Sequence, residues 1–168
     1  MLGQLQDSGN TTTLAHYLDL LSGAGLLDGL QKFASEGVRR RGSSPKFTVF
    51  NTALMTAQSN KTFTGAQEDH SFWGRLIEST VGAHLVNSIR GTQIELFYWR
   101  EDDKEVDFVL RNGDSVTAIE VKSGAERMNR SGMDLFSKEF KPKRLLLVGD
   151  QGIPVADFLC APIVDFVN

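Results

Sequence analysis

The sequence predicts an α/β fold, and three observations carry that prediction. Apolar positions switch between helical and strand spacing several times along the 168 residues. Asn112-Gly113 stands between two strand-like runs, the strongest short-range hairpin signal a sequence offers. A helix-like stretch then leads into Arg144-Leu145-Leu146-Leu147-Val148, a continuous apolar run of the kind that a buried strand shows. Composition agrees, because 40% hydrophobic and 23% charged residues is an ordinary globular mixture. No apolar run approaches the roughly 20 residues of a membrane span, and the N-terminus lacks a signal-peptide profile. A cytoplasmic protein without a membrane partner is therefore expected. Cys160 is the only cysteine, which excludes an internal disulfide and a cysteine-rich zinc site.

Residues 11–22 are expected to be helical: Thr11 or Thr12 can cap the start, and Leu14, Tyr17, Leu18 and Leu21 recur on one side. Gly23 and Gly25 end the helix, and Leu26 to Phe33 reads as a strand. A polar loop containing Arg39, Arg40 and Arg41 precedes a second strand from Lys46 to Phe50. A helix followed by a hairpin with a basic tip is the end of a winged helix-turn-helix. Its two earlier helices need about twenty residues, and only Met1 to Asn10 are available, so a piece of a longer protein is expected. Residues 51–70 are rich in Thr, Ser, Asn and Gln and read as a linker. The predicted division is a partial winged helix and linker over 1–60 and a second domain over 61–168.

In that second domain a helix is expected from Ser71, as its cap, to about Ser88, with Glu78 inside it. Strands follow at Gln93–Tyr98, Glu105–Arg111 and Ser115–Lys122, then a helix from Ser131 to Phe140 and the apolar strand from Arg144. The stretch from Pro154 to Asn168 has no assigned element.

Charge draws attention to one stretch. The net charge is only −3, which is no global signature of nucleic-acid binding, but residues 93–122 carry eight acids against four bases. With Asn112-Gly113 as a two-residue loop, Arg111 faces Asp114, Val109 faces Val116, Asp107 faces Ala118 and Glu105 faces Glu120. One face then receives Val106, Phe108, Leu110, Ile119 and Val121, and the other receives Glu105, Asp107, Ala118, Glu120 and Lys122. Asp107 and Glu120 become diagonal neighbours, about 7–8 Å apart at Cα. Acids crowded on one face need solvent or a cation. Hard carboxylate oxygens suit Mg²⁺ or Mn²⁺, which acidify an attacking water and offset charge at a phosphoryl centre, while a lysine steadies that charge or orients the water.

Asp107, followed after twelve residues by Glu120-Val121-Lys122, resembles the PD-(D/E)XK nuclease signature. More narrowly, the chain resembles the C-terminal region of a large prokaryotic group of AAA-type ATPases, in which a winged helix links the ATPase to a nuclease-like domain of unknown function. The string from Thr11 to Leu18, Ser44-Pro45-Lys46, Gly74-Arg75-Leu76-Ile77-Glu78, Glu105-Val106-Asp107-Phe108 and Ile119-Glu120-Val121-Lys122 carry the likeness. It implies a restriction-endonuclease-like mixed sheet flanked by helices. It further implies Asp107, Glu120 and Lys122 as catalytic residues, Glu78, Asp107 and Glu120 as ligands of Mg²⁺ or Mn²⁺, and DNA as substrate. The implied partner is an upstream ATPase domain, absent here since no Gly-x-x-x-x-Gly-Lys-Ser/Thr loop occurs. Val106 stands where the signature has proline.

Other readings stay open at this level. An edge hairpin with a solvated charged face gives the same pattern, Lys122 can be the salt-bridge partner of Glu120, and Glu105 can be a metal residue, a residue that supports the metal ligands, or a solvated acid at the strand start. Arg39, Arg40 and Arg41 suit a wing on DNA phosphates or a solvated loop tip. A non-catalytic adaptor that binds nucleic acid or protein for the ATPase is the second function class. His16, His70 and His84 show no ligand spacing, and Cys160 has no base nearby in sequence.

Overall fold

The computed structural model describes residues 11–34, 44–124 and 131–167. Helix α1 (Thr11–Gly23) leads into a hairpin of β1 (Leu27–Lys32) and β2 (Lys46–Val49). Two short helices follow, α2 (Ala53–Ser59) and α3 (Phe63–Glu68), then the long α4 (His70–Ser88). Strands β3 (Glu95–Glu101), β4 (Lys104–Asn112) and β5 (Ser115–Lys122) come next, then α5 (Ser131–Phe140), β6 (Arg144–Gly149), α6 (Val155–Cys160) and a 3₁₀ turn (Ile163–Phe166). The six strands form one mixed sheet in the order β2-β1-β3-β4-β5-β6, with β1–β3 and β5–β6 parallel and the other neighbours antiparallel. Helices cover both faces, as an α/β fold requires.

Burial on the two faces follows from strand alternation. On one face Val81, Leu85 and Val86 of α4 pack on Phe108 and Leu110 of β4, Ile119 and Val121 of β5 and Val148 of β6, with Phe158 of α6 closing the layer. On the other, Phe136 of α5 sits among Phe33, Phe97, Trp99, Val106, Val109 and Ala118. Phe136 makes edge-on or tilted contacts with Phe33, Trp99 and Phe140, an aromatic cluster of the geometry rings prefer. Gly82 lets α4 lie this close: a Cβ there would stand 2.7 Å from Thr48 Oγ1 and 2.9 Å from the Phe108 ring.

Several expectations need correction. The stretch read as a linker, 51–70, forms α2, α3 and the start of α4, because its polar residues turn the chain into helices: Asn51 Oδ1 accepts from the Ala53 N–H just ahead of α2, and Thr62 Oγ1 caps α3 by accepting from the Gly65 N–H. Asp69, not Ser71, caps α4, its Oδ1 accepting from the Phe72 N–H at 2.9 Å. The hairpin over β1 and β2, read as a wing, extends the same sheet through Gln31↔Phe97 and Lys32↔Tyr98, so the sheet runs across the predicted boundary at residue 60.

The β4–β5 register also differs by two residues. Arg111 faces Val116 and Asn112 faces Ser115, leaving Gly113-Asp114 as the loop. Gly113 has φ +59°, as the first central residue of a type II′ turn requires. A shift of two preserves the faces of β5. A bulge alters those of β4: Phe97↔Val109 is followed by Trp99↔Val106, so β4 carries one extra residue there. Val106 therefore joins the α5 face with Val109, while Phe108 and Leu110 face α4, separating residues expected together.

Candidate functional site

The bulge at Asp107 sends the acids of β4 toward α4, where they meet a cation. Lys46, the first residue of β2, donates from Nζ to Glu105 Oε1 at 2.8 Å. Its ammonium lies 2.7 Å from Glu78 Oε1 and 3.5 Å from Asp107 Oδ1. The Phe108 ring centroid is 5.3 Å away, within reach of a cation–π attraction. Three carboxylates from α4 and β4 thus share one lysine from a strand that β1 and β3 separate from β4 in the sheet. The Tyr98 hydroxyl pins the start of that strand by donating to the Ser44 carbonyl at 2.6 Å.

Asp107 joins this cluster to β5. Its Oδ2 accepts the Val121 N–H at 2.8 Å, so the residue between Glu120 and Lys122 is tied to it directly. Continuing the observed register places Asp107 opposite Glu120. Glu120 and Lys122 form their own pair, Oε1 to Nζ at 2.7 Å. The other Glu120 oxygen, Oε2, is buried and has no hydrogen-bond partner among the described residues. A buried carboxylate oxygen without a partner is costly and calls for a donor or a cation.

The electrostatics reflect a cluster short of positive charge. Burial and the neighbouring Glu78 carboxylate push Asp107 up to about 7, with Glu120 adding to the rise and Lys46 and the Val121 N–H opposing it. Burial alone would lower Lys46, but Asp107, Glu78 and the hydrogen bonds to Glu105 and Glu78 hold it above the ordinary lysine value. Lys122 behaves likewise: desolvation is outweighed by its hydrogen bond and attraction to Glu120 and by the charges of Asp107 and Glu78.

Two glycines fix the backbone beneath these side chains. At Gly149, with φ +135°, a Cβ would lie 1.8 Å from the Lys122 carbonyl oxygen, and one at Gly132 would lie 2.2 Å from the Glu105 carbonyl oxygen. The end of β6 and the first turn of α5 are therefore seated directly on the main chain of two site residues.

Of the residues singled out in the sequence, Glu78, Asp107, Glu120 and Lys122 come together, with Glu105 as a full participant. Arg39, Arg40 and Arg41 lie outside the described residues. Lys46 was missed as a site residue, although an acid-rich face with one lysine left charge to be balanced. Trp99 is a core residue, and Trp73 packs edge-on with Phe63.

Over residues 73–166 the chain matches the model of a family described as Domain of unknown function (DUF4143). The chain belongs to the DUF4143 family. No curated protein and no solved structure matches it. The DUF4143 match includes Glu78, Glu105, Asp107, Glu120 and Lys122 and leaves out Lys46 with the whole β1–β2 hairpin.

A divalent cation suits this donor set in chemistry: four carboxylates, one with an orphaned buried oxygen and one pushed toward neutrality. As the side chains lie, no group of three or more His, Cys, Asp and Glu among the described residues is arranged to hold a metal. Lys46 takes one oxygen each of Glu78 and Glu105, and Lys122 takes one of Glu120, while Glu120 Oε2 stays without a partner among the described residues. No helix among the described residues is long and apolar enough to cross a membrane.

Proposed function

We propose that this DUF4143 chain is a divalent-metal-dependent nuclease domain of restriction-endonuclease-like fold, acting on DNA and attached in its parent protein to an AAA-type ATPase. The observation that carries the reading is the meeting of Asp107 with Glu78 from the preceding helix and, through the Val121 N–H, with the Glu120-Val121-Lys122 segment. Glu78, Asp107 and Glu120 would hold Mg²⁺ or Mn²⁺, which when bound acidifies an attacking water and offsets charge on the phosphoryl oxygens. Lys122, half exposed beside Glu120, can donate to a phosphoryl oxygen or orient the water. Glu105 shares the charge of the cluster without matching the signature. The Asp107 and Glu120 side chains are only 14% and 12% exposed while Lys122 is 42% exposed, so approach would be from the Lys122 side. Fold likeness alone carries no activity, so the residues must be tested.

Calorimetric titration with Mn²⁺ of the wild-type chain and Glu120→Ala, followed by incubation of both with supercoiled plasmid, tests this reading. Saturable binding and nicking that disappear together in the variant are expected. Equal or absent binding in both chains overturns it. The Lys46 ammonium, seated among the acids, favours a second reading: an adaptor that keeps the fold without turnover and binds nucleic acid or protein for the ATPase. That reading predicts plasmid binding without cleavage at any Mn²⁺ concentration.

A further inference from the structure

We propose that Lys46 is a built-in competitor for the cation at this site, an ammonium that must leave the Glu78–Glu105–Asp107 cluster before a divalent metal can enter. The inference rests on the metal-site reading above and adds a control that the acids alone do not contain. Lys46 stands 2.7 and 2.8 Å from two carboxylates and 3.5 Å from a third, so it takes one oxygen of each. Its side chain is only 20% exposed, which leaves little room for a second cation while it stays.

The competition is unequal in charge. Three carboxylates are balanced by a single ammonium, and the neighbouring Glu120 keeps an unpartnered buried oxygen. A divalent ion offers twice the charge and takes about six oxygens, against the three that one ammonium can engage.

Lys46 is carried on the β1–β2 hairpin, which lies outside the DUF4143 match. That hairpin is anchored to β3 through Gln31↔Phe97 and Lys32↔Tyr98, and Leu30 and Phe33 are buried in the two core layers. Withdrawal of the ammonium is therefore a swing of the Lys46 side chain and not a movement of the strand.

The test is Mn²⁺ calorimetry on the wild-type chain, Lys46→Met and Lys46→Gln, each with and without Glu120→Ala, alongside thermal melts with and without Mn²⁺. A competitor that holds the cluster about nine-tenths of the time weakens apparent affinity about tenfold, so both Lys46 variants are expected to bind about tenfold tighter. Without metal they melt lower than wild type, because the carboxylates lose their counter-charge, and Mn²⁺ restores more stability to them than to wild type. Binding of equal strength in wild type and Lys46 variants, still lost with Glu120→Ala, overturns the competitor role and leaves the metal site standing. No binding in any chain overturns both. Lys46→Gln, which keeps hydrogen-bonding capacity without charge, serves as the readout if Lys46→Met fails to fold.

Discussion

Replacing Asp107 by Asn should stabilise the protein at alkaline pH while abolishing any metal-dependent activity. In the folded chain the Asp107 carboxyl is pushed from 3.8 to about 7 by burial and by Glu78. The folded state therefore holds a proton that the unfolded chain has released between about pH 4 and pH 7, so stability falls as pH rises through that window. A carboxyl held near 7 instead of 3.8 corresponds to a loss on the order of a few kcal/mol at pH 8. Asn stays neutral and its Oδ1 can keep accepting from the Val121 N–H, but its amide group faces the Lys46 ammonium, at a cost of about 1 kcal/mol. The net expectation is a gain of about 2–4 kcal/mol at pH 8, or roughly 10 °C in Tm, shrinking to nothing or below near pH 4. Urea unfolding of both chains at half-unit steps from pH 4 to 8 measures it, because the difference between the two curves isolates Asp107 from the other titrating acids. A variant less stable than wild type at pH 8, or a difference that does not change with pH, refutes the reasoning.

Gly149→Ala places a methyl group 1.8 Å from the Lys122 carbonyl at a φ of +135°, and should cost about 3 kcal/mol or more in urea unfolding. An unchanged midpoint would show that β6 does not bear on Lys122. Phe136→Ala empties the fully buried centre of the α5 face and should cost about 3–5 kcal/mol, read the same way. Asp69→Ala removes the carboxylate that caps α4. The backbone hydrogen bond from Phe72 and the Lys61 contact hold Asp69 below its ordinary value. Its contribution should therefore be full at neutral pH and vanish as pH falls through the acidic carboxylate range, so melts of wild type and variant should converge at low pH.

The sequence made the elements legible where one physical signal dominated. The strand at Ser115–Lys122 and the helix at Ser131–Phe140 appear with the expected bounds, since alternation and amphipathic spacing there had no rival. The hairpin register slipped because Asn112-Gly113 and Gly113-Asp114 are both good two-residue loops, and only the packed strands choose between them. The polar stretch from Asn51 to Asp69 was opaque for a related reason: the residues that disfavour helix interiors are the ones that start short helices. The bulge at Asp107 left no trace in residue order, because an extra residue in β4 is defined only against β3.

That bulge explains why the candidate site was half visible. Strict alternation puts Asp107 and Phe108 on opposite faces, with Glu105, Asp107, Glu120 and Lys122 sharing one side of a flat hairpin. The extra residue instead lets Asp107 meet Glu78 and Lys46 on the α4 side while its other oxygen stays bonded to the β5 backbone. The acids are thus gathered by a local departure from regular strand geometry, held by two glycine contacts on the backbone of Glu105 and Lys122. Such an arrangement costs stability, as the raised Asp107 and the orphaned Glu120 oxygen show. A solvated charged face would relax both by turning its acids to water. Persistence of that cost in a buried cluster, with a lysine drawn in from β2 to offset part of it, is the physical ground for proposing a cation site here.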